Sequence, residues 1–143
     1  MRTTDAPNYW NEIPDVLQAF VAPGAMIEAH GIDRALFHLI KLRASQLNRC
    51  AFCVDMHTRE ARVDGETQAR LDRLLVWEQV DDFSDRERAA LAWTDALTEL
   101  DPRTDWAGLR ARLRDFFTAE GIAALTAAAA LINLWNRIGV SRH

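Results

Sequence analysis

The chain has 143 residues, of which 49% are hydrophobic and 27% charged, and this composition excludes global disorder. Its formal net charge of −4 argues against a nucleic-acid partner, because phosphate binding needs concentrated positive charge. The length predicts a single domain over residues 1–143.

The sequence carries no signal for secretion or for a membrane. Residues 1–7 lack the apolar core of a secretory signal. The longest uncharged run, residues 121–136, is short for a membrane span and contains Asn133 and Asn136. We therefore expect a cytoplasmic protein with no membrane partner. In that compartment, closely spaced cysteines are more often catalytic or metal-binding than structural.

Helix signals dominate the first half of the chain. Apolar spacing predicts a helix over residues 10–30, with a break near Pro23-Gly24. Asp33 is placed to cap the next helix, and Asn48 to cap a third helix that ends at Gly65.

The second half continues in the same way. A short helix is predicted over residues 66–76, and Ser84 with Glu87 fits a capping box. Another helix is predicted over residues 105–116, and Thr118 can cap the last one. Strand signals are nearly absent. The prediction is an all-α domain of about six to eight helices, whose apolar, alanine-rich faces indicate an oligomer.

Four of the five tryptophans fall in apolar helical patterns. Tryptophan at such positions packs in a core or a subunit interface more often than it lines a ligand site. We therefore predict packing roles for Trp10, Trp77, Trp93 and Trp135.

The strongest chemical signal is a run that holds the only two cysteines, Cys50 and Cys53, with His57 four residues after the second. Residues three and four apart share a helix face, so two sulfurs and an imidazole can converge. Near a helix start, the dipole and free N–H groups lower a thiol pKa and favour the nucleophilic thiolate. His57 can accept the thiol proton near neutral pH. The pattern favours thiol redox chemistry, and the cysteine spacing permits a disulfide.

Two alternatives remain open on the residues alone. Cys50, Cys53, His57 and His38 would supply a Cys2His2 zinc set, with His30 as a weaker fourth ligand. The cysteines could also be buried and inert. Thioredoxin-type chemistry is disfavoured because no βαβ pattern accompanies the motif.

The segment 42–62, including Ser45-Gln46-Leu47-Asn48 and the CxxCxxxH motif, resembles the alkylhydroperoxidase AhpD-like family of the carboxymuconolactone decarboxylase superfamily. Residues 83–93 and 132–137 agree with that resemblance. It implies an all-α homo-oligomer, often a trimer or hexamer, that reduces peroxides without a metal or organic cofactor. The implied partners are an organic hydroperoxide or hydrogen peroxide and an unidentified dithiol electron donor.

The resemblance also assigns catalytic roles. By motif position, Cys53 attacks the peroxide, Cys50 resolves the intermediate, and His57 belongs to the proton relay. The family's relay glutamate, twelve residues before the first cysteine, is His38 here, and an imidazole can also accept a proton near pH 7. Arg49 stands where glycine is common.

A hypothesis from another class is a non-enzymatic oligomeric module that senses redox state or holds zinc. Carboxymuconolactone decarboxylase activity is a weaker possibility, because those enzymes do not depend on a cysteine pair.

Overall fold

The computed structural model describes residues 5–143, and within them every regular element is helical. This confirms the predicted all-α class and number of helices. Eight α-helices and one 3-10 helix follow one another: α1 (Tyr9–Glu12), α2 (Pro14–Ala29), α3 (Arg34–Leu47), α4 (Ala51–Val63), α5 (Gln68–Arg73), the 3-10 helix (Leu74–Gln79), α6 (Asp85–Glu99), α7 (Trp106–Arg114) and α8 (Ala119–Val140).

Three predicted helix caps are confirmed. The Asp33 side chain accepts the backbone N–H of residue 35 at the start of α3, and the Thr118 hydroxyl accepts that of residue 121 in α8. Ser84 and Glu87 form the complete capping box of α6, with both reciprocal hydrogen bonds present. Each cap satisfies N–H groups that have no partner within the helix.

The predicted break at Pro23-Gly24 is wrong, because α2 continues through both residues. A proline inside a helix removes one hydrogen bond to the carbonyl four residues earlier. That carbonyl belongs to Ala19, an exposed residue, so water can hydrate it. The helix therefore survives the loss.

The predicted helix over residues 66–76 is divided differently in the structure. Thr67 caps α5, which ends at Arg73, and the chain then tightens into the 3-10 helix. Val76 interrupts that segment with a non-helical backbone. The sequence therefore predicted the position of this helical segment but not its change of pitch.

Helix α3 lies at the centre of the core and packs against α4, α6 and α8. Nine of its fourteen side chains are buried, which is far more than in α2. Trp77 and Trp93 belong to the two hydrophobic clusters around it, as predicted. Trp10 does not lie in the core of the chain: it is 44% exposed and stacks on Trp135 of α8.

By length and composition alone, α8 could cross a membrane. The core helix of a water-soluble protein passes the same test. Here α8 packs against α2, α3 and α6 and carries six buried side chains. The absence of a membrane partner stays a prediction.

Candidate active site

The site is built on the short turn that joins α3 to α4. The predicted cap at Asn48 is wrong: Asn48 ends α3, and Cys50 caps α4. The Asn48 amide instead donates to the side-chain oxygens of Asn133 and Asn136 on α8, at 2.8 and 2.9 Å. Cys50 has an extended backbone, and its sulfur accepts the N–H of Cys53 at 3.3 Å.

Arg49 lies in this turn with φ of 56°, in the left-handed region that favours glycine. Arg49, which stands where glycine is common in the family, therefore holds a backbone conformation that glycine adopts more easily. The left-handed residue lets the chain reverse between α3 and α4 and delivers Cys50 to the start of the second helix.

Cys50 and Cys53 form a disulfide, with their Cα atoms 5.2 Å apart. The structure therefore confirms that this spacing can close a bridge. Both residues are almost completely buried, Cys50 at 0% exposure and Cys53 at 3%. In the reduced protein, the N–H that Cys53 donates would favour a thiolate on Cys50.

A largely apolar cavity of about 560 Å³ reaches Cys53 from between α2, α3, α4 and α8. His57 lines the same cavity, so the sulfur and the imidazole share one chamber. Trp135 also lines this cavity. Trp10 stacks on one side of its ring, and Phe20 meets it edge-on at 6.1 Å. Other aromatic lining comes from Phe37 and Phe52.

His57 is buried and has one carboxylate partner. Its Nδ1 lies 3.0 Å from Glu60 Oε2, one turn further along α4. Burial lowers the pKa of His57, and the hydrogen bond to Glu60 acts in the opposite direction. The imidazole is therefore neutral at pH 7, the state in which it can accept a proton.

Glu60 holds its negative charge at this position. Burial acts to raise the pKa of Glu60, but the hydrogen bond and charge of His57, together with Lys41 and His38, keep it below its usual range. The Lys41 ammonium lies 3.7 Å from Glu60 Oε2 and 4.5 Å from the ring centroid of Phe37. Glu60 is thus an ionised acceptor beside a buried histidine.

The structure places His38, the residue expected in the relay, beside Asp64, whereas His57 is paired with Glu60. His38 Nε2 contacts Asp64 Oδ2 at 2.5 Å, and the buried Nδ1 of His38 has no hydrogen-bond partner among the described residues. Asp64 also pairs with Arg34 at 2.9 Å. The hydrogen bond from His38 and the charge of Arg34 lower the pKa of Asp64. A role for His38 in catalysis stays a prediction.

The zinc alternative finds no support in the geometry. Within residues 5–143, no three His, Cys, Asp or Glu side chains are grouped so that they could hold a metal ion. His38 is engaged with Asp64, and both sulfurs are engaged with each other.

Sequence reasoning missed Glu60 and Asp64. Glu60 had a detectable signal, because it lies three residues after His57 and such residues are neighbours on a helix. Asp64 had no local signal, since its partner is 26 residues away on another helix.

Comparison with known proteins identifies a family model and relatives that match this chain. Residues 14–96 match the model of the carboxymuconolactone decarboxylase family. The uncharacterised protein YdfG of Bacillus subtilis is 34% identical over 134 residues, which cover 94% of this chain and 91% of that protein.

Solved structures of other proteins share the fold of this chain. A protein of unknown function from Agrobacterium tumefaciens, provisionally named an antioxidant defence protein AhpD, is 38% identical with a TM-score of 0.90, covering 95% of this chain and 93% of its own. An uncharacterised peroxidase-related protein from Ralstonia eutropha, described as an alkylhydroperoxidase AhpD core, superposes with a TM-score of 0.80. It is 24% identical and covers 92% of this chain and 70% of its own, which supports the fold alone.

Proposed function

The chain belongs to the carboxymuconolactone decarboxylase family, and from this premise we propose that it is a thiol-dependent peroxidase of the alkyl hydroperoxide reductase type. One observation carries the proposal. Cys53, one half of the Cys50–Cys53 disulfide, lines an apolar cavity that His57 also lines. The pair would cycle between dithiol and disulfide.

In the first step, His57 takes the proton of the Cys53 thiol, and the thiolate attacks the terminal oxygen of a hydroperoxide. The S–O bond forms as the O–O bond breaks, which gives a sulfenic acid on Cys53 and an alkoxide. The protonated imidazole returns its proton to the alkoxide, and the alcohol leaves.

In the second step, the Cys50 sulfur attacks Cys53. The S–S bond forms as the S–O bond breaks, and the hydroxide leaves as water with the Cys50 proton. The peroxide has then gained two electrons from the two thiols. A dithiol donor restores the pair by thiol–disulfide exchange and leaves as its own disulfide.

The cavity lining supports an organic hydroperoxide as the preferred substrate. Its lining is mostly apolar and includes the rings of Phe37, Phe52 and Trp135, which suits a hydrocarbon group better than the small polar hydrogen peroxide. A cytoplasmic location, expected from the sequence, and a homotrimer or homohexamer, implied by the family resemblance, remain part of the proposal.

Peroxide consumption coupled to the thiol state tests the function. The reduced parent protein should consume cumene hydroperoxide, lose two thiols per chain, and regain them with dithiothreitol. Cys53→Ser and Cys50→Ser should lose turnover, and the parent alkylated with iodoacetamide is the matched control. If both serine variants turned over hydroperoxide as fast as the parent, the proposal would be wrong. Oxidation of the parent without turnover would support redox sensing instead.

A further inference from the structure

We propose that Glu60 is the positioning residue of the relay: it orients the His57 imidazole toward Cys53 and takes the place that the sequence had assigned to residue 38. This inference rests on the proposed peroxidase function. It starts from the contact between His57 Nδ1 and Glu60 Oε2 at 3.0 Å.

The contact fixes which ring nitrogen of His57 is free. An ionised carboxylate can only accept a hydrogen bond, so His57 Nδ1 must donate and Nε2 keeps its lone pair. His57 lies one turn beyond Cys53 on α4, and both residues line the same cavity. The nitrogen left free is therefore the one available to accept the thiol proton.

Among residues 5–143, no acid other than Glu60 is hydrogen-bonded to His57. The Asp64 carboxylate is taken up by His38 and Arg34. Other charged groups face this region from neighbouring segments: Glu28 from α2, His38 and Lys41 from α3, and Arg142 from the turn that follows α8. Of these, Lys41 and His38 act on His57 through their charge and lower its pKa. Of the acids in the described part of the chain, Glu60 alone combines a direct hydrogen bond to His57 with a charge that stabilises the imidazolium.

Glu60 also connects the buried imidazole with solvent. The His57 side chain is 7% exposed, whereas that of Glu60 is 43% exposed. Glu60 lines both the apolar cavity and a neighbouring open hollow of about 540 Å³ that contains Arg34 and Arg59. When the imidazole takes the proton of the thiol, its new positive charge is therefore balanced by the Glu60 carboxylate, which water already solvates.

The Glu60 carboxylate should make the Cys53 thiol reactive at a lower pH. When Cys53 transfers its proton to His57, the carboxylate of Glu60 stabilises the imidazolium that forms. Glu60 lies seven residues beyond Cys53, about 10 Å along the helix axis, so its repulsion of the thiolate is the weaker effect. Loss of the carboxylate should therefore raise the pH at which Cys53 becomes reactive.

The test measures thiol reactivity and turnover separately. In the reduced protein, iodoacetamide alkylation of Cys53 is followed by mass spectrometry from pH 5 to 10, in a Cys50→Ser background. Glu60→Gln and Glu60→Ala should move the midpoint upward by about one pH unit, and in the dithiol protein they should lower kcat/KM for cumene hydroperoxide at pH 7 about tenfold. Glu60→Asp, which keeps the charge, should show a smaller shift of the alkylation midpoint and a smaller loss of kcat/KM.

Asp64→Asn is the matched control, because it removes a carboxylate one turn further along, at the end of the same helix. Its alkylation midpoint should stay within about 0.3 pH unit of the parent, and its kcat/KM within about twofold. The inference is overturned if the Glu60→Gln midpoint coincides with the parent, or if Asp64→Asn moves it equally. If the parent reduces no hydroperoxide, the proposed function fails, and the alkylation profile still decides the role of Glu60.

Discussion

Gly139, in the last turn of α8, lies directly against Cys50. A Cβ built on Gly139 would stand 2.7 Å from Cys50 Sγ and 3.1 Å from Cys53 Sγ. Real Cβ atoms essentially never come as close as the first distance. The absence of a side chain at position 139 therefore lets α8 close over the disulfide and complete its burial.

Gly139→Ala should destabilise the oxidised protein by about 1–3 kcal/mol, because the methyl group forces either α8 or the start of α4 to move. The reduced protein should lose less, since free thiols can rotate away from the new methyl group. Thermal unfolding of both redox states measures the difference.

Gly24→Ala is the control for that substitution. Gly24 also lies inside a helix, but its added Cβ would meet nothing within 4 Å. Replacing an unobstructed helical glycine by alanine should stabilise the protein by about 0.5–1 kcal/mol in both redox states. Equal stability of oxidised Gly139→Ala and the parent would contradict the packing argument.

Arg49→Gly should stabilise the protein, because Arg49 holds a left-handed backbone that costs a non-glycine residue about 1–2 kcal/mol. The greater freedom of glycine in the unfolded chain offsets part of this, so the expected net gain is about 0.5–1 kcal/mol, or about 2 °C in Tm. Arg49→Ala removes the same charge but keeps the strain, and should not exceed the parent in stability. A similar gain in both variants would point to the charge and not to the backbone.

Local signals predicted much of this fold. Asp33, Ser84 and Thr118 cap helices as expected, because a cap depends on residues two or three positions away. Asn48 was wrongly predicted for the opposite reason. Its side chain bonds Asn133 and Asn136, 85 and 88 residues away, and a local pattern carries no information about such partners.

The site follows this division only in part. The disulfide and the shared face of Cys53 and His57 follow from their spacing. By resemblance to the family, the other relay member was predicted at His38, where the family carries a glutamate. The structure pairs His38 with Asp64, and the carboxylate hydrogen-bonded to His57 is Glu60, on the same helix.

His57 should make the protein less stable in mild acid. Burial holds its pKa in the folded state below its ordinary value of 6.5, so the unfolded chain binds more protons once the pH falls below 6.5. Stability is then lost as the pH falls from 6.5 toward the folded pKa. Glu60 and Asp64 lose their contributions only at lower pH, since their ordinary values are 4.5 and 3.8.

The measurement is the fall in Tm of the oxidised protein between pH 7.5 and pH 5.5. His57→Gln should show a smaller fall than the parent, because the buried titrating group is gone. His30→Gln is the control, since His30 is an exposed histidine paired with Glu120 at the surface. An equal fall in the parent and His57→Gln would show that other groups set the acid sensitivity.

Trp135 should determine how well the site discriminates between hydroperoxides. It lines the cavity that reaches Cys53, and its contacts with Trp10 and Phe20 hold α1 and α2 against α8. Trp135→Ala should raise KM for cumene hydroperoxide about tenfold, which corresponds to ~1.4 kcal/mol of lost apolar contact. KM for hydrogen peroxide should change less than twofold, since that substrate has no hydrocarbon group to contact the wall.

Trp106→Ala is the matched control for this last variant. Trp106 is also half-buried and packs edge-on against Trp93 at 5.6 Å, but it does not line the cavity. It should lower Tm without changing the ratio of the two KM values. If Trp135→Ala raised both KM values equally, the cavity would not select for the apolar group, and access to Cys53 would have to be controlled elsewhere.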